Sequence, residues 1–262
     1  MICYSMLLLH IAKVYLNLIK QEHHLNWWCL KRKVSIMANK KVFIGVGHGG
    51  TDPGAVANGL KEKNVNLEIA KSCRAELQRH GVEVAISRET DVSENLAQRI
   101  KECNAFKPDF ALDIHNNAGG GDGCEIYHSK NDKKDDVFAQ NILDEIVKIG
   151  QNSRGLKTKE RADGRAYFGF IREVNCPAVL VECAFLDNSN DVKIIDTLEE
   201  QKAMGICIAK GILKSFGIAY KPIVTNSVIY KVQVGAYSQK VNAENMKAKL
   251  KQAGFDAIIV TK

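Results

Sequence analysis

Short apolar runs alternate with helical periods along most of this 262-residue chain. Apolar, often β-branched runs that predict strands occur at 41–46, 82–87, 109–115, 124–128 and 178–184. Helical periods predict α-helices at 64–80, 93–106, 132–149 and 191–216. Strands that alternate with helices favour crossover connections, which make neighbouring strands parallel. We therefore predict an α/β fold, in which a mostly parallel twisted sheet carries helices on both faces.

The chain divides into four predicted segments. Residues 1–36 do not match the rest, and Met37 directly precedes the first strand, so we expect 1–36 to be a non-native upstream extension or a disordered segment. Residues 37–217 hold the alternating elements, and 218–227 form a linker that contains Pro222. Residues 228–262 are predicted to form a small C-terminal βαβ half-domain, with strands at 228–234 and 257–260 and a helix at 242–252. Between the main elements, the polar stretch 151–167 is predicted to be an irregular, functional loop.

The N-terminal apolar stretch 7–19 bears on where the protein resides. His10, Lys13 and Asn17 interrupt it, so it is too short and too polar to span a membrane. It also lacks the basic start and small-residue cleavage site of a signal peptide, although a poor anchor or export signal remains an alternative. We expect no stable membrane insertion, and synthesis in the cytoplasm. The eight cysteines include no Cys-x-x-Cys pair, and we expect them to be reduced.

The net charge of +7 is concentrated outside the main domain. The first 36 residues contribute +4 of it, so the remainder is mildly basic, which suits an anionic polymer such as a cell wall. No clustered basic stripe with aromatic residues is present, and we therefore predict no nucleic-acid partner.

Two imidazoles and two carboxylates are predicted to meet at one edge of the sheet. His48 follows the first strand, His115 ends the third, and Glu182 lies near the end of the strand at 178–184. Ligands collect at the carboxyl ends of strands in such sheets, and Glu62 opens the adjoining helix. This is the ligand set of a catalytic zinc, with one acid left over as a base. Glu182 is our candidate for the base, because its apolar strand favours a raised pKa.

Each of these residues also has a plain structural explanation. A histidine beside glycines is usually a loop residue, and an acid in the first turn of a helix suits the helix dipole. Glu182 is the hardest to explain as structure, because a buried carboxylate without a partner is costly. His80 and His128 compete as metal ligands, but His80 sits where a histidine suits a helix C-terminus.

The segments that carry these residues resemble the zinc-dependent N-acetylmuramoyl-L-alanine amidases over about residues 41–217. The matching stretches read GHGGTDPG at 47–54, Glu62-Lys63 with Asn66-Leu67, DIHNNA at 113–118 and PAVLVECAFLDN at 177–188. The resemblance implies a phosphorylase/hydrolase-like fold, with His48, Glu62 and His115 as Zn²⁺ ligands and Glu182 as the catalytic acid. Enzymes of this family cut peptidoglycan between the lactyl group of N-acetylmuramic acid and L-alanine.

Three further residues are candidates for substrate binding. Asn116 and Asn117 follow the second histidine, and many relatives have a small residue at the first of these positions, so we expect them to tune substrate contact. Arg172 is the third candidate. With Arg165, it could also anchor a terminal carboxylate if the chain were instead a zinc carboxypeptidase-like peptidase, for which no motif is present. An inactive wall-binding module is the other alternative, although all four site residues are present.

The end of the chain resembles the first half of a SPOR peptidoglycan-binding domain. The stretch YKVQVGAYS at 230–238 carries this resemblance, together with 242–245 and 253–257. It implies a partial SPOR-like domain at 228–262 with peptidoglycan as its partner. We expect a monomer that acts on the bacterial cell wall after lysis or release, in sporulation or in phage lysis.

Overall fold

The computed structural model describes residues 40–130, 133–223 and 233–260. The predicted extension 1–36 lies outside these residues. The chain separates into two compact units between Lys221 and Pro222, a division that falls inside the predicted linker. None of the helices in the described ranges is long and apolar enough to cross a membrane.

The first unit is built on a six-stranded sheet. The described strands of this unit are β1 (Lys41–Val46), β2 (Val56–Ala57), β3 (Leu60–Lys61), β4 (Glu83–Ile86), β5 (Phe110–Asn117), β6 (Cys124–His128), β7 (Ser153–Lys157) and β8 (Ala178–Phe185). The main sheet has the order β4-β1-β5-β8-β6-β7, and β2 and β3 form a separate antiparallel hairpin.

Helices cover the sheet in this unit. They are α1 (Glu62–Arg79), α2 (Leu96–Phe106), α3 (Lys133–Val147), α4 (Gly169–Glu173), α5 (Ser189–Val192) and α6 (Leu198–Ser215). The segment predicted at 191–216 therefore forms two helices, of which α6 begins with a capping box of Thr197 and Glu200. Helix α2 begins later than predicted, because Asn95 caps it by accepting a hydrogen bond from the Gln98 N–H.

The sheet is mostly parallel, as predicted. Strand β1 pairs in parallel with β4 and β5, and β5 pairs in parallel with β8. Strand β6 runs antiparallel to β8, and β7 follows β6 in parallel. Strand β7 lies in the stretch that we expected to be irregular. Its sequence Ser-Arg-Gly-Leu-Lys lacks an apolar alternation, and it becomes a strand because it pairs with β6.

Alternate residues of the strands feed two apolar layers, one on each face of the sheet. From β1, Val42 and Ile44 enter the larger layer, whereas Phe43 enters the smaller one. Helices α1, α3 and α6 pack together on the larger side, and α2 and α4 contribute Cys103 and Phe170 to the smaller. Both faces are therefore covered by helices, which explains the apolar, buried strands.

The described part of the second unit contains one helix, α7 (Lys240–Gln252). The strand predicted at 257–260 does not form, and Ile258 is 84% exposed. A strand needs a paired neighbour, and the described residues of this unit provide none. Most of the other expected strand, 228–234, lies outside the described residues.

Candidate metal centre

The four predicted residues converge at one edge of the main sheet. His48 lies two residues beyond β1, and Glu62 is the first residue of α1. His115 and Glu182 are partners across the parallel pair of β5 and β8, so their side chains leave the same face. Parallel strands place their carboxyl ends at a common edge, and this puts His48 beside the other two residues.

Three of these side chains form a cluster that can hold a metal ion. Potential ligand atoms of His48, Glu62 and His115 all lie within 4.8 Å of one another. Glu62 stands between the rings, with Oε2 3.2 Å from Nε2 of His48 and Oε1 3.0 Å from Nδ1 of His115. Two imidazoles and one carboxylate are a donor set suited to a catalytic zinc with an open fourth position. The cluster therefore fits such an ion.

Two glycines make room for this cluster. A Cβ at Gly47 would lie 2.6 Å from Nε2 of His115. A Cβ at Gly54, which has a φ of +63°, would lie 2.5 Å from Oε2 of Glu62 and 2.7 Å from Cδ2 of His48. Any larger residue at either position would occupy the space of a ligand side chain. The glycines of the GHGGTDPG motif thus serve the geometry of the ligands.

Outer hydrogen bonds fix the orientation of the ligands. Asp52 Oδ2 lies 2.8 Å from Nδ1 of His48, and the pair leaves Nε2 of His48 directed to the cluster. The backbone N–H of Asn116 donates to Oε1 of Glu62, and the Asn66 amide donates to the same oxygen at 3.3 Å. These partners hold the side chains of His48 and Glu62 in place at the cluster.

A buried ion-pair network lies beneath His115. Asp113 receives two hydrogen bonds of 3.1 Å from the Arg99 guanidinium, which also binds Glu94 and the carbonyl of Val46. Oδ2 of Asp113 lies 3.5 Å from Nε2 of His115. Our sequence analysis missed this network. Asp113 stands inside the DIHNNA motif, and an acid within an apolar strand is itself a signal of a buried partner.

The side chains of the cluster shift one another's pKa values. Burial disfavours ionisation of Glu62, but hydrogen bonds from His115 and His48 outweigh it and lower its pKa. Burial also opposes charge on His115, but the carboxylates of Asp113 and Glu62 raise its pKa to about 10. A metal ion would take the place of these protons, since its ligands must be a neutral imidazole and a carboxylate.

Glu182 lies next to the cluster but is not one of its three members. Its Oε2 is shielded from solvent and has no hydrogen-bond partner among the described residues. Its pKa is raised to about 7, mainly by burial and further by the charges of Glu62 and Glu125, against the opposing effect of His115. A carboxylate with this pKa and a free oxygen is suited to accept a proton near neutral pH.

A second acid, Glu125, lies on the other side of Glu182 and was missed by the sequence analysis. The two residues are partners across β6 and β8. Glu125 accepts hydrogen bonds from the Tyr127 hydroxyl at 2.9 Å, from Arg154 at 2.8 Å and from Asn117 at 3.3 Å. The alternation of β6 was the available signal, because Cys124 and Ile126 enter the core and thereby direct Glu125 to the opposite face.

The three residues expected to contact substrate have other partners. Asn116 is buried, and its amide donates to Asn66, so it supports Glu62 from the interior. Asn117, half-buried at the end of β5, donates to Glu125. Arg172 donates to the backbone carbonyls of Ala166 and Tyr167 and to Glu173. These contacts show how the side chains are held in the protein, and substrate contact by Asn116, Asn117 and Arg172 stays a prediction.

The competing histidines are also held by protein groups. His80 is buried at the end of α1, where Nδ1 bonds the Glu76 carbonyl and Nε2 accepts from the Lys221 N–H. His128 lies 2.8 Å from a carboxylate oxygen of Asp136. Neither belongs to the metal-binding cluster identified among the described residues.

Comparison with known proteins agrees with this geometry. The family model described as N-acetylmuramoyl-L-alanine amidase matches residues 42–214, and the SPOR domain model matches residues 217–262. The chain is 35% identical over 224 residues to N-acetylmuramoyl-L-alanine amidase CwlM of Bacillus licheniformis, with 84% of each chain covered. It is 34% identical over 226 residues to the sporulation-specific N-acetylmuramoyl-L-alanine amidase of Bacillus subtilis, with 85% of each covered.

A solved structure shares the fold of the first unit. The N-acetylmuramoyl-L-alanine amidase AmiC2 of Nostoc punctiforme superimposes with a TM-score of 0.62 and 29% sequence identity, covering 68% of this chain and 97% of that one. The family match extends over the whole stretch that carries His48, Glu62, His115 and Glu182. The chain belongs to the N-acetylmuramoyl-L-alanine amidase family.

Proposed function

We propose that this peptidoglycan amidase uses Zn²⁺, held by His48, Glu62 and His115, to hydrolyse the amide between N-acetylmuramic acid and L-alanine. The observation that carries the proposal is the approach of ligand atoms of three residues to within 4.8 Å of one another, beside a second acid, Glu182, that is not among them. When bound, Zn²⁺ supplies a Lewis acid that polarises the scissile carbonyl and activates water.

Glu182 performs the proton transfers of the reaction. It is the strand partner of His115, so its carboxylate stands at the edge of the cluster. The raised pKa, about 7, lets the carboxylate take a proton from the attacking water and return it to the nitrogen of the departing L-alanine. Asp52, through its 2.8 Å contact with His48, keeps that ring oriented during the reaction.

Product analysis on purified peptidoglycan tests this proposal. The zinc-loaded protein should release new L-alanine amino termini, whereas an exopeptidase would release free amino acids from the ends of the peptides. Chelation should abolish the release, and Zn²⁺ should restore it. Activity that persists after the bound metal has been removed, as verified by elemental analysis, would contradict the role of zinc.

The matched variant is Glu182→Gln, which keeps the shape of the side chain but removes the base. We expect a loss of about 100-fold or more in kcat, with zinc content unchanged. Substitution of His115 by Ala should instead reduce zinc content and activity together. A wild-type level of activity in Glu182→Gln would overturn the assignment of the base.

We further propose that the protein is synthesised in the cytoplasm and reaches the wall after lysis or release, as in sporulation. The similarity to a sporulation-specific amidase supports this proposal. The SPOR match at 217–262 supports retention on peptidoglycan by the second unit. Fractionation of the native host before and during sporulation tests it, and secretion from intact growing cells would contradict it.

A further inference from the structure

Arg154 stands out among the charged residues near Glu182, because the proposed chemistry does not use it. Its Nε donates to Oε2 of Glu125 at 2.8 Å, and Glu125 is in turn the strand partner of Glu182. The side chain of Arg154 is nevertheless 39% exposed, whereas that of Glu125 is only 6% exposed. The guanidinium therefore bridges the buried edge of the site and the solvent.

The backbone of β7 is irregular at this residue, and the irregularity directs Arg154. In the pairing of β6 with β7, Cys124 is opposite Ser153 but the next residue, Glu125, is opposite Gly155. Arg154 is thus an additional, unpaired residue of the kind found in a β-bulge, and Gly155 has the φ of +80° that such a bend favours. Bulges beside active sites commonly turn a side chain toward the site.

Two contacts hold the guanidinium in place. Glu125 is fixed from the other side by Tyr127 and Asn117, so it is a rigid acceptor. The guanidinium carbon also lies 5.0 Å from the centre of the Phe185 ring, and Phe185 packs where Gly121 has no side chain. In the described part of the chain, the two terminal nitrogens of Arg154 have no hydrogen-bond partner. A preorganised fork with two free donors is the usual receptor for a carboxylate.

The surrounding charges indicate why a cation is needed here. Glu125 and Glu182 are acids that lie opposite each other on adjacent strands at this edge of the sheet. An anionic group brought close to Glu182 would be repelled by these carboxylates unless a positive charge received it. Arg154 contacts one of these acids, Glu125, and is itself open to solvent.

We propose that Arg154 is a specificity-determining residue that binds a carboxylate of the peptide next to the scissile amide. The inference rests on the proposed function and deepens it. In the muramic acid unit, the lactyl carboxyl is consumed by the amide bond and the sugar is otherwise neutral. A free carboxylate close to that bond therefore belongs to the peptide side, so Arg154 lies on the side of the site that receives the leaving peptide.

The test compares two soluble muramoyl peptides that differ only in the second residue of the peptide, which carries a free carboxylate in one and a carboxamide in the other. The zinc-loaded full chain should have a kcat/KM about 10-fold or more higher for the carboxylate, because paired hydrogen bonds between a guanidinium and a carboxylate are stronger than hydrogen bonds between neutral groups. Arg154→Gln should bring the ratio of the two kcat/KM values close to one, and Arg154→Lys should retain part of it.

The ratio separates recognition from general damage to the site. Loss of the arginine leaves Glu125 without its cation, which lowers both rates by a common factor that the ratio removes. The double variant Glu125→Gln/Arg154→Gln avoids the unpaired acid and should show the same loss of preference. The matched control is Arg74→Gln, which removes an arginine of α1 that pairs with Glu89. This variant should keep the wild-type ratio.

Two results would overturn the inference while leaving the amidase proposal intact. One is a wild-type enzyme that cleaves both substrates equally well, and the other is a preference that survives in Arg154→Gln. Cleavage of neither substrate by the zinc-loaded wild type would overturn the proposed function, and the inference with it.

Discussion

Glu182 owes its chemical character to its neighbours in the sheet. Its strand partners are His115 on β5 and Glu125 on β6. Glu182 therefore lies between a basic side chain and an acidic one. Burial is the largest cause of its raised pKa, and the nearby acids add to it. The sequence indicated the burial through the apolar run 178–184, but it did not reveal the second acid, because that strand pairing joins distant parts of the chain.

The pH dependence of the enzyme should follow the ionisation of Glu182. Only the carboxylate can accept a proton, so kcat/KM should rise with pH through its pKa and fall about tenfold per unit below it. The pKa is raised to about 7, and bound Zn²⁺ lowers it, so the acidic limb should lie at or below about pH 7. Glu125→Gln removes a negative neighbour and should move this limb to lower pH. A limb that moves to higher pH would contradict the account.

Gly47 should be required for the metal site rather than for the fold. Gly47→Ala would place a methyl group 2.6 Å from Nε2 of His115, so we expect loss of zinc binding, measured by equilibrium dialysis. The control is Gly81→Ala, which we expect to lower stability but not zinc binding. It has a φ of +80° and open space around it, so it should cost about 1 kcal/mol of stability without affecting zinc. Equal zinc affinity in Gly47→Ala and wild type would refute this role.

At the scale of elements, helix α2 is joined to the sheet by a buried charge network. Arg99 on α2 reaches Asp113 on β5 and the carbonyl of Val46 on β1. The helix itself was predicted from its apolar period, but the predicted start, Ser93, is three residues before the observed one, Leu96. Ser93 instead receives a hydrogen bond from the Thr51 N–H and so holds the loop that carries His48.

Removal of the Arg99 guanidinium should be severely destabilising. Arg99→Met leaves Asp113 as an uncompensated buried charge, and breaking a buried pair in this way costs about 3–5 kcal/mol in the free energy of unfolding. The matched variant Arg74→Met breaks a more exposed pair with Glu89 and should cost less than about 1 kcal/mol. Urea denaturation measures both, and similar losses in the two variants would contradict the importance of burial.

At the scale of the whole molecule, we propose that catalysis and wall binding belong to different units. All the residues of the proposed site lie between β1 and β8, within the first unit. The second unit carries the SPOR match, and its single described helix, α7, has no buried residue. Residues 257–260 do not form the expected β-strand among the described residues, and most of the segment expected to pair with them lies outside those residues.

Removal of residues 222–262 should separate the two activities. The truncated protein should hydrolyse a small soluble muramoyl peptide with a kcat/KM within about twofold of the full chain, because the site residues are retained. Its co-sedimentation with purified sacculi should fall, because the SPOR segment is gone. A truncated protein that sediments as well as the full chain would show that the first unit alone accounts for wall binding.

The sequence by itself determined the class of fold and the residues at its catalytic edge. Apolar runs and helical periods are local properties, and the rule that strand ends share an edge brought His48, His115 and Glu182 together without coordinates. Only the tertiary structure decided which polar residues serve them. Asn116 turns inward to Glu62, Arg172 holds a loop, and Arg154 is turned toward Glu125 by a bulge. These roles depend on register and pairing between distant segments, which local sequence does not encode.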